Sequence, residues 1–247
     1  MSLGWRRRTD GPPLIIGHRG ASANALENTL TAFRRACADG ADGVELDVIG
    51  CASGQVAVFH DDDLVRLAGR RERIESLPLA ALREVRLTGG ETIPLLDEVL
   101  EEIGPMLVNV ELKAPRALSA RTSALVRRVA TLLERHAVGE RALVSSFNPV
   151  ALAQFRGAAP RVTTGLLFGA EQKRPLREAW SRRFVRPSAL HPEHTLVDAA
   201  RMSYWRSEGY AVNVWTVDEE AEVRRVAGLG VDGIITNDPA RARRALQ

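Results

Sequence analysis

Eight short runs of apolar and β-branched residues recur along the chain, at 14–17, 44–48, 107–112, 142–145, 163–168, 189–191, 211–216 and 233–236. Longer stretches between them carry apolar residues at helical spacing, as in Leu30, Phe33 and Cys37 or Leu125, Val129, Leu132 and Leu133. Such spacing lines one helix face with residues for a core. Strands that alternate with helices build βαβ units and a parallel sheet. Eight of them in 247 residues predict an α/β fold of the (β/α)8 TIM-barrel type, which takes about 250 residues, rather than an open sheet.

A ninth strand-like run, 55–60, breaks this rhythm. Residues 50–54 alone separate it from the second run, whereas a parallel crossover needs about a dozen. The run is therefore expected to form a hairpin arm that folds His60 back over the barrel mouth. The stretch 61–95 is charged and irregular and reads as a small insertion after this hairpin, with one helix near 79–85. No Gly/Ser-rich or Pro-rich linker and no internal repeat divides the chain, so 1–247 is expected to be one domain.

Polar residues gather where the predicted strands end, the rim at which barrel enzymes work. The first strand ends in His18-Arg19-Gly20, the second carries Glu45 and Asp47, and the third carries Glu111 and Lys113. Alternate strand residues share a face, so Glu45 and Asp47 point the same way and Leu46 the other. Two carboxylates side by side in a barrel interior repel and are costly to bury. Arg19 or Lys113 can neutralise them as a salt-bridged strand end. With Glu111 at the matching position of the next strand, a divalent ion answers better, and an all-oxygen set suits Mg2+ or Ca2+.

His18 and His60 fall beside this cluster, and imidazole exchanges protons near neutral pH. Phosphodiester cleavage needs two such exchanges, one to activate the attacking oxygen and one to protonate the leaving alkoxide. Arg19 and Lys113 offer cationic donors to the phosphate. Lys113 is one of only two lysines in an Arg-rich chain, as expected where a compact ammonium is needed. Phe147, His191 and Trp215 also end strands. They are candidates for substrate contact, with packing at the barrel mouth as the plainer alternative.

The formal net charge of +3 does not point to nucleic acid, because the basic residues are scattered. The densest groups, 70–73 and 182–186, are short and interrupted by Glu72 or apolar residues and read as solvated faces. No apolar run approaches the roughly 18–20 residues of a membrane span. The apolar residues after Arg6, Arg7 and Arg8 are too few for a signal peptide. Cys37 and Cys51 make no disulfide framework. These features fit a cytoplasmic protein with a small-molecule partner and no stable membrane insertion.

Several blocks resemble the glycerophosphodiester phosphodiesterase family in order and spacing. They are Gly17-His18-Arg19-Gly20-Ala21, Glu27-Asn28-Thr29, the stretch 40–48 with Glu45-Leu46-Asp47, and Phe59-His60-Asp61. Asn109-Val110-Glu111-Leu112-Lys113, Ser145-Ser146-Phe147, Leu190-His191-Pro192, Val214-Trp215-Thr216 and Thr236-Asn237-Asp238-Pro239 carry the likeness to the C-terminus. The resemblance implies a barrel enzyme that hydrolyses glycerophosphodiesters to sn-glycerol 3-phosphate and an alcohol. It implies metal binding by Glu45, Asp47 and Glu111, acid–base roles for His18 and His60, and phosphate binding by Arg19 and Lys113. Cys51-Ala52-Ser53-Gly54 and Leu67-Ala68-Gly69 depart from the family pattern; neither replaces a catalytic group, but both alter the rim. A lysophospholipase D-like activity on lysolipids is the nearest alternative. A non-catalytic binding barrel, or a basic protein that captures nucleic acid, is the more distant one.

Overall fold

The computed structural model describes residues 4–9, 11–114 and 119–247. Its strands are β1 (Leu14–His18), β2 (Gly43–Gly50), β3 (Val56–Val58), β4 (Leu107–Leu112), β5 (Ala142–Ser146), β6 (Thr163–Phe168), β7 (Ala189–Pro192), β8 (Ala211–Val214) and β9 (Gly233–Thr236). All but β3 pair in parallel around a ring, which β1 closes by pairing with both β2 and β9. β3 runs antiparallel to β2, with Val48 opposite Val58 and Gly50 opposite Val56. The expected TIM barrel and its hairpin arm are therefore present.

Alternation along the strands sorts side chains into two cores. Ile15, Leu190 and Ile234 pack outward with the helices, while their neighbours Ile16, Ala189 and Ile235 join Trp5 and Leu143 inside the barrel. Strands buried on both faces must be apolar nearly throughout, which is why they stand out in the sequence. Helices begin at residues that offer a side-chain oxygen to an unpaired backbone N–H, including Thr29, Ser119, Asn148, Asp198 and Asp238.

The helix Leu30–Ala38 departs from expectation at one position. Its buried side is Ala32, Phe33 and Ala36, whereas Cys37, expected in the core, is exposed. It lies about 100° of helix rotation past Ala36, beyond the edge of the apolar stripe.

The segment after the hairpin has more order than its charge suggests. Besides the helix Leu79–Glu84 it contains a turn of helix at Val65–Ala68 and 3-10 turns at Ile74–Ser76 and Thr88–Gly90. Leu64, Ile74, Leu82, Val85 and Ile93 pack with Phe59 and Ala57 into a separate apolar cluster. This small core roots the hairpin, and with it His60. Among the described residues no helix is long and apolar enough to cross a membrane.

Candidate active site

β1 delivers His18 and Arg19 to the rim through a tight turn. Arg19 and Gly20 have φ of +55° and +86°, and a Cβ on Gly20 would lie 2.6 Å from the Ala32 backbone. Only glycine combines that backbone with so close an approach. The turn aims the Arg19 N–H at Glu45 Oε2, 3.0 Å away. Asn28, also at positive φ (+56°), donates from Nδ2 to Asp47 Oδ2 at 2.8 Å.

Glu45, Asp47 and Glu111 converge as expected. Asp47 pairs in register with Glu111 across β2 and β4, and one carboxylate oxygen from each residue lies within 4.8 Å of the others. Two cations brace the cluster. Lys113 Nζ is 3.0 Å from Glu111 Oε1 and 3.4 Å from Asp47 Oδ1, and Arg19 Nε is 3.1 Å from Asp47 Oδ2.

Burial and like charge leave the carboxylates unequal. Burial, then Asp47 and Glu111, push Glu45 well above the usual carboxylate range. Burial raises Glu111 to about 7, with Asp47 adding to the rise and Lys113 opposing it. Burial also acts to raise Asp47, but Lys113 and Arg19 outweigh it and hold that carboxyl low. Three oxygen donors, two of them resisting ionisation through burial and the charge of neighbouring carboxylates, form a donor set that fits a hard divalent cation.

The two histidines flank this cluster, each held by its Nδ1. His18 Nδ1 meets Asn237 Oδ1 at 2.7 Å, and Asn237 Nδ2 donates to Asp218 Oδ2 at 2.6 Å. With the proton on Nδ1 facing an amide oxygen, Nε2 is the acceptor nitrogen, 4.0 Å from Glu45 Oε2. Burial, then the neighbouring Arg19 charge, lowers the His18 pKa and favours its neutral form. His60 Nδ1 contacts Asp61 Oδ1 at 2.6 Å, and Arg66 Nε holds the other Asp61 oxygen at 2.7 Å. A carboxylate rather than an amide thus backs His60.

His18, Arg19, Glu45, His60, Glu111 and Lys113 share the lining of a cavity of about 280 Å³ with Phe147 and Trp215. The two aromatic rings meet edge to face, 5.5 Å between centroids. His191 is placed differently. It is fully buried beneath the cavity, its Nε2 is 3.1 Å from Asn213 Nδ2, and its carbonyl accepts the Trp215 indole N–H at 2.7 Å. Burial takes its pKa down to about 3, so it is a neutral support for Trp215 and not part of the cavity wall.

Three further residues belong to this arrangement. Asn109 lines the cavity, is buried, and among the described residues has no hydrogen-bond partner for either amide atom. Its place two residues before Glu111, on the same strand face, was the available signal. Asp218 and Asn28 orient Asn237 and Asp47 from loops, where no periodicity marks them.

The Glycerophosphoryl diester phosphodiesterase family model matches residues 18–241. A glycerophosphodiester phosphodiesterase of Caldanaerobacter subterraneus subsp. tengcongensis is 32% identical over 235 residues, covering 92% of this chain and 94% of that protein. A namesake from Bacillus altitudinis is 30% identical over 240 residues, covering 92% and 96%. Among solved structures, an Oleispira antarctica phosphodiesterase in complex with the product sn-glycerol-3-phosphate superposes with a TM-score of 0.85 at 29% identity, covering 95% of this chain and 97% of that one. The glycerophosphodiester phosphodiesterase of Thermotoga maritima gives a TM-score of 0.78 at 29% identity, covering 97% and 100%. Likeness along nearly the whole chain, in sequence and in fold, makes this protein a member of the glycerophosphoryl diester phosphodiesterase family.

Proposed function

We propose that this chain hydrolyses glycerophosphodiesters to sn-glycerol 3-phosphate and an alcohol, in a cytoplasmic setting, using a divalent ion, Mg2+ or Ca2+, held by Glu45, Asp47 and Glu111. The observation that carries the reading is the trio of close-set carboxylates, two of which, Glu45 and Glu111, line one cavity with both histidines. Charge balance supports it. Three carboxylates and two cations leave one negative charge when all are ionised; a bound dication turns this to one positive, which a phosphodiester anion neutralises. When bound, the ion supplies Lewis-acid stabilisation of phosphate charge.

The chain's own groups supply the rest. Arg19 and Lys113 direct N–H donors at the non-bridging oxygens. His18, held neutral, accepts through Nε2 the proton of the attacking oxygen, either that of water or that of the substrate's own 2-hydroxyl, whose cyclic phosphate water then opens to sn-glycerol 3-phosphate. His60 gives a proton to the leaving alkoxide, and Asp61 supports its positive charge. Phe147 and Trp215 form an aromatic wall for the glycerol carbons. His191 acts through Trp215.

A second substrate class has its own support. A groove of about 610 Å³ continues from Glu111, Lys113 and Phe147 toward Ile49, Leu112 and Leu125. Its lining mixes these apolar residues with Asp62, Arg73, Glu75, Arg121 and Arg128, a setting in which an alcohol carrying an acyl chain and a polar headgroup competes with water-soluble diesters as substrate. Equal or faster turnover of lysophosphatidylcholine than of glycerophosphocholine would move the assignment to lysolipids. The metal site is tested by calorimetry. Glu45→Gln with Asp47→Asn is expected to weaken divalent binding by more than about 100-fold, since losing one outer partner already costs roughly 10–100-fold. Unchanged affinity would remove these residues from the site.

A further inference from the structure

We propose that the segment between β6 and β7 docks the protein on anionic phospholipid surfaces. Residues 171–186 hold six Lys or Arg against two Glu, a local charge of +4, so the rest of the chain sums to −1 around a total of +3. The whole positive balance of the molecule resides in this one excursion. Phe184, which interrupts the basic run, is 86% exposed and Trp180 is 54% exposed. Apolar side chains that protrude so far mark surfaces that meet something else.

The segment shows two faces. Ala179, Arg182 and Val185 are buried against the barrel. Arg182 donates from Nη2 to the Tyr204 hydroxyl at 3.2 Å, and Arg156 donates from Nη1 to the Val185 carbonyl at 2.7 Å. Trp180 and Phe184, four residues apart, face outward with Arg183. Among the described residues Lys173, Arg174, Arg183 and Arg186 form no ion pair. Glu178 is engaged with Arg201 and Arg177, leaving Glu171 as the segment's only other acid.

Aromatic rings that reach the acyl boundary, ringed by cations at headgroup level, are the features of a protein that lies on an anionic bilayer without crossing it. A second copy fits poorly, because a two-fold contact sets the patch against itself and brings like charges together. Single-stranded nucleic acid also pairs cations with aromatic rings, but along a groove. A ring as exposed as Phe184 stands proud of the surface instead.

Co-sedimentation of the full chain with phosphatidylcholine vesicles, with and without phosphatidylglycerol, tests the proposal. Binding is expected only with the anionic lipid. Each of Arg183→Gln and Arg186→Gln should weaken it about fivefold, the equivalent of the roughly 1 kcal/mol a basic residue contributes near such a surface. Trp180→Ala with Phe184→Ala should abolish it at physiological salt while leaving the melting temperature unchanged. Turnover of a soluble diester should also be unchanged, because the segment lies outside the catalytic cavity. Binding unaffected by the aromatic pair, no binding to anionic vesicles, tighter binding to an oligonucleotide, or a solution dimer dispersed by Phe184→Ala would each overturn it.

Discussion

At the scale of the residue, the two histidines of the cavity differ in what stands behind each. His18 is backed by a neutral amide and crowded by Arg19, and His60 is backed by a carboxylate. Replacing either with alanine is expected to lower kcat by about 10²- to 10⁴-fold, the usual worth of a positioned acid or base, while divalent binding measured by calorimetry persists. Full activity in either variant would remove that residue from the proton transfers. Both histidines, the three carboxylates, Arg19 and Lys113 were legible in the sequence, because apolar runs ending in polar residues announce the rim of a barrel. His191 ends its run in the same way, and the pattern could not separate a side chain that enters the cavity from one that lies beneath it. Asn109 was overlooked for a related reason. An isolated Asn within a strand carries no chemistry until its neighbours are known to leave both amide atoms unpaired.

At the scale of the element, the turn after β1 joins fold to site. Positive φ at Gly20 and its contact with Ala32 let the chain reverse while presenting the Arg19 N–H to Glu45. Gly20→Ala is expected to destabilise the protein by more than about 3 kcal/mol in denaturant unfolding, combining backbone strain with a forced shift of the Ala32 backbone. A loss below about 1 kcal/mol would show that the turn relaxes freely. The barrel strands were readable because burial on both faces demands continuous apolar runs. The hairpin was readable because five residues cannot make a parallel crossover. The small core under 61–95 was not, since Leu64, Ile74, Leu82 and Ile93 follow neither a helical nor a strand period and meet only through tertiary packing. Cys37 missed the core for a local reason, one position beyond the buried stripe.

At the scale of the whole molecule, the site links ion binding to stability and pH. Glu111 has a folded-state pKa of about 7 against an ordinary 4.5, and Glu45 moves in the same direction. In that window the folded chain holds more protons than the unfolded one, so stability falls as pH rises. The Glu111 contribution is complete below pH 4.5 and is lost as pH passes through about 7, and the Glu45 contribution falls in the same sense. Asp47, held low, acts oppositely only at pH values below its ordinary 3.8. Buried His18 and His191, lowered from their ordinary 6.5, act in the opposite sense below that pH, so metal-free protein is expected to show a melting temperature that declines as pH rises above 6.5. A saturating divalent ion should stabilise the protein increasingly with pH, because binding requires the ionised carboxylates. Melting curves with EDTA and with Mg2+ or Ca2+ across this range check both statements, and a metal effect independent of pH would contradict the linkage.

The central claim is that this barrel cleaves glycerophosphodiesters with an ion held by its buried carboxylates. The measurement that meets it most directly is release of sn-glycerol 3-phosphate from glycerophosphocholine, with EDTA and then with added Mg2+ or Ca2+. The same assay should be run on the Glu45→Gln, Asp47→Asn protein. Release that stops with EDTA, returns with one of these ions and is absent in the variant is the predicted result. Undiminished release in EDTA, or from the variant, would contradict the account.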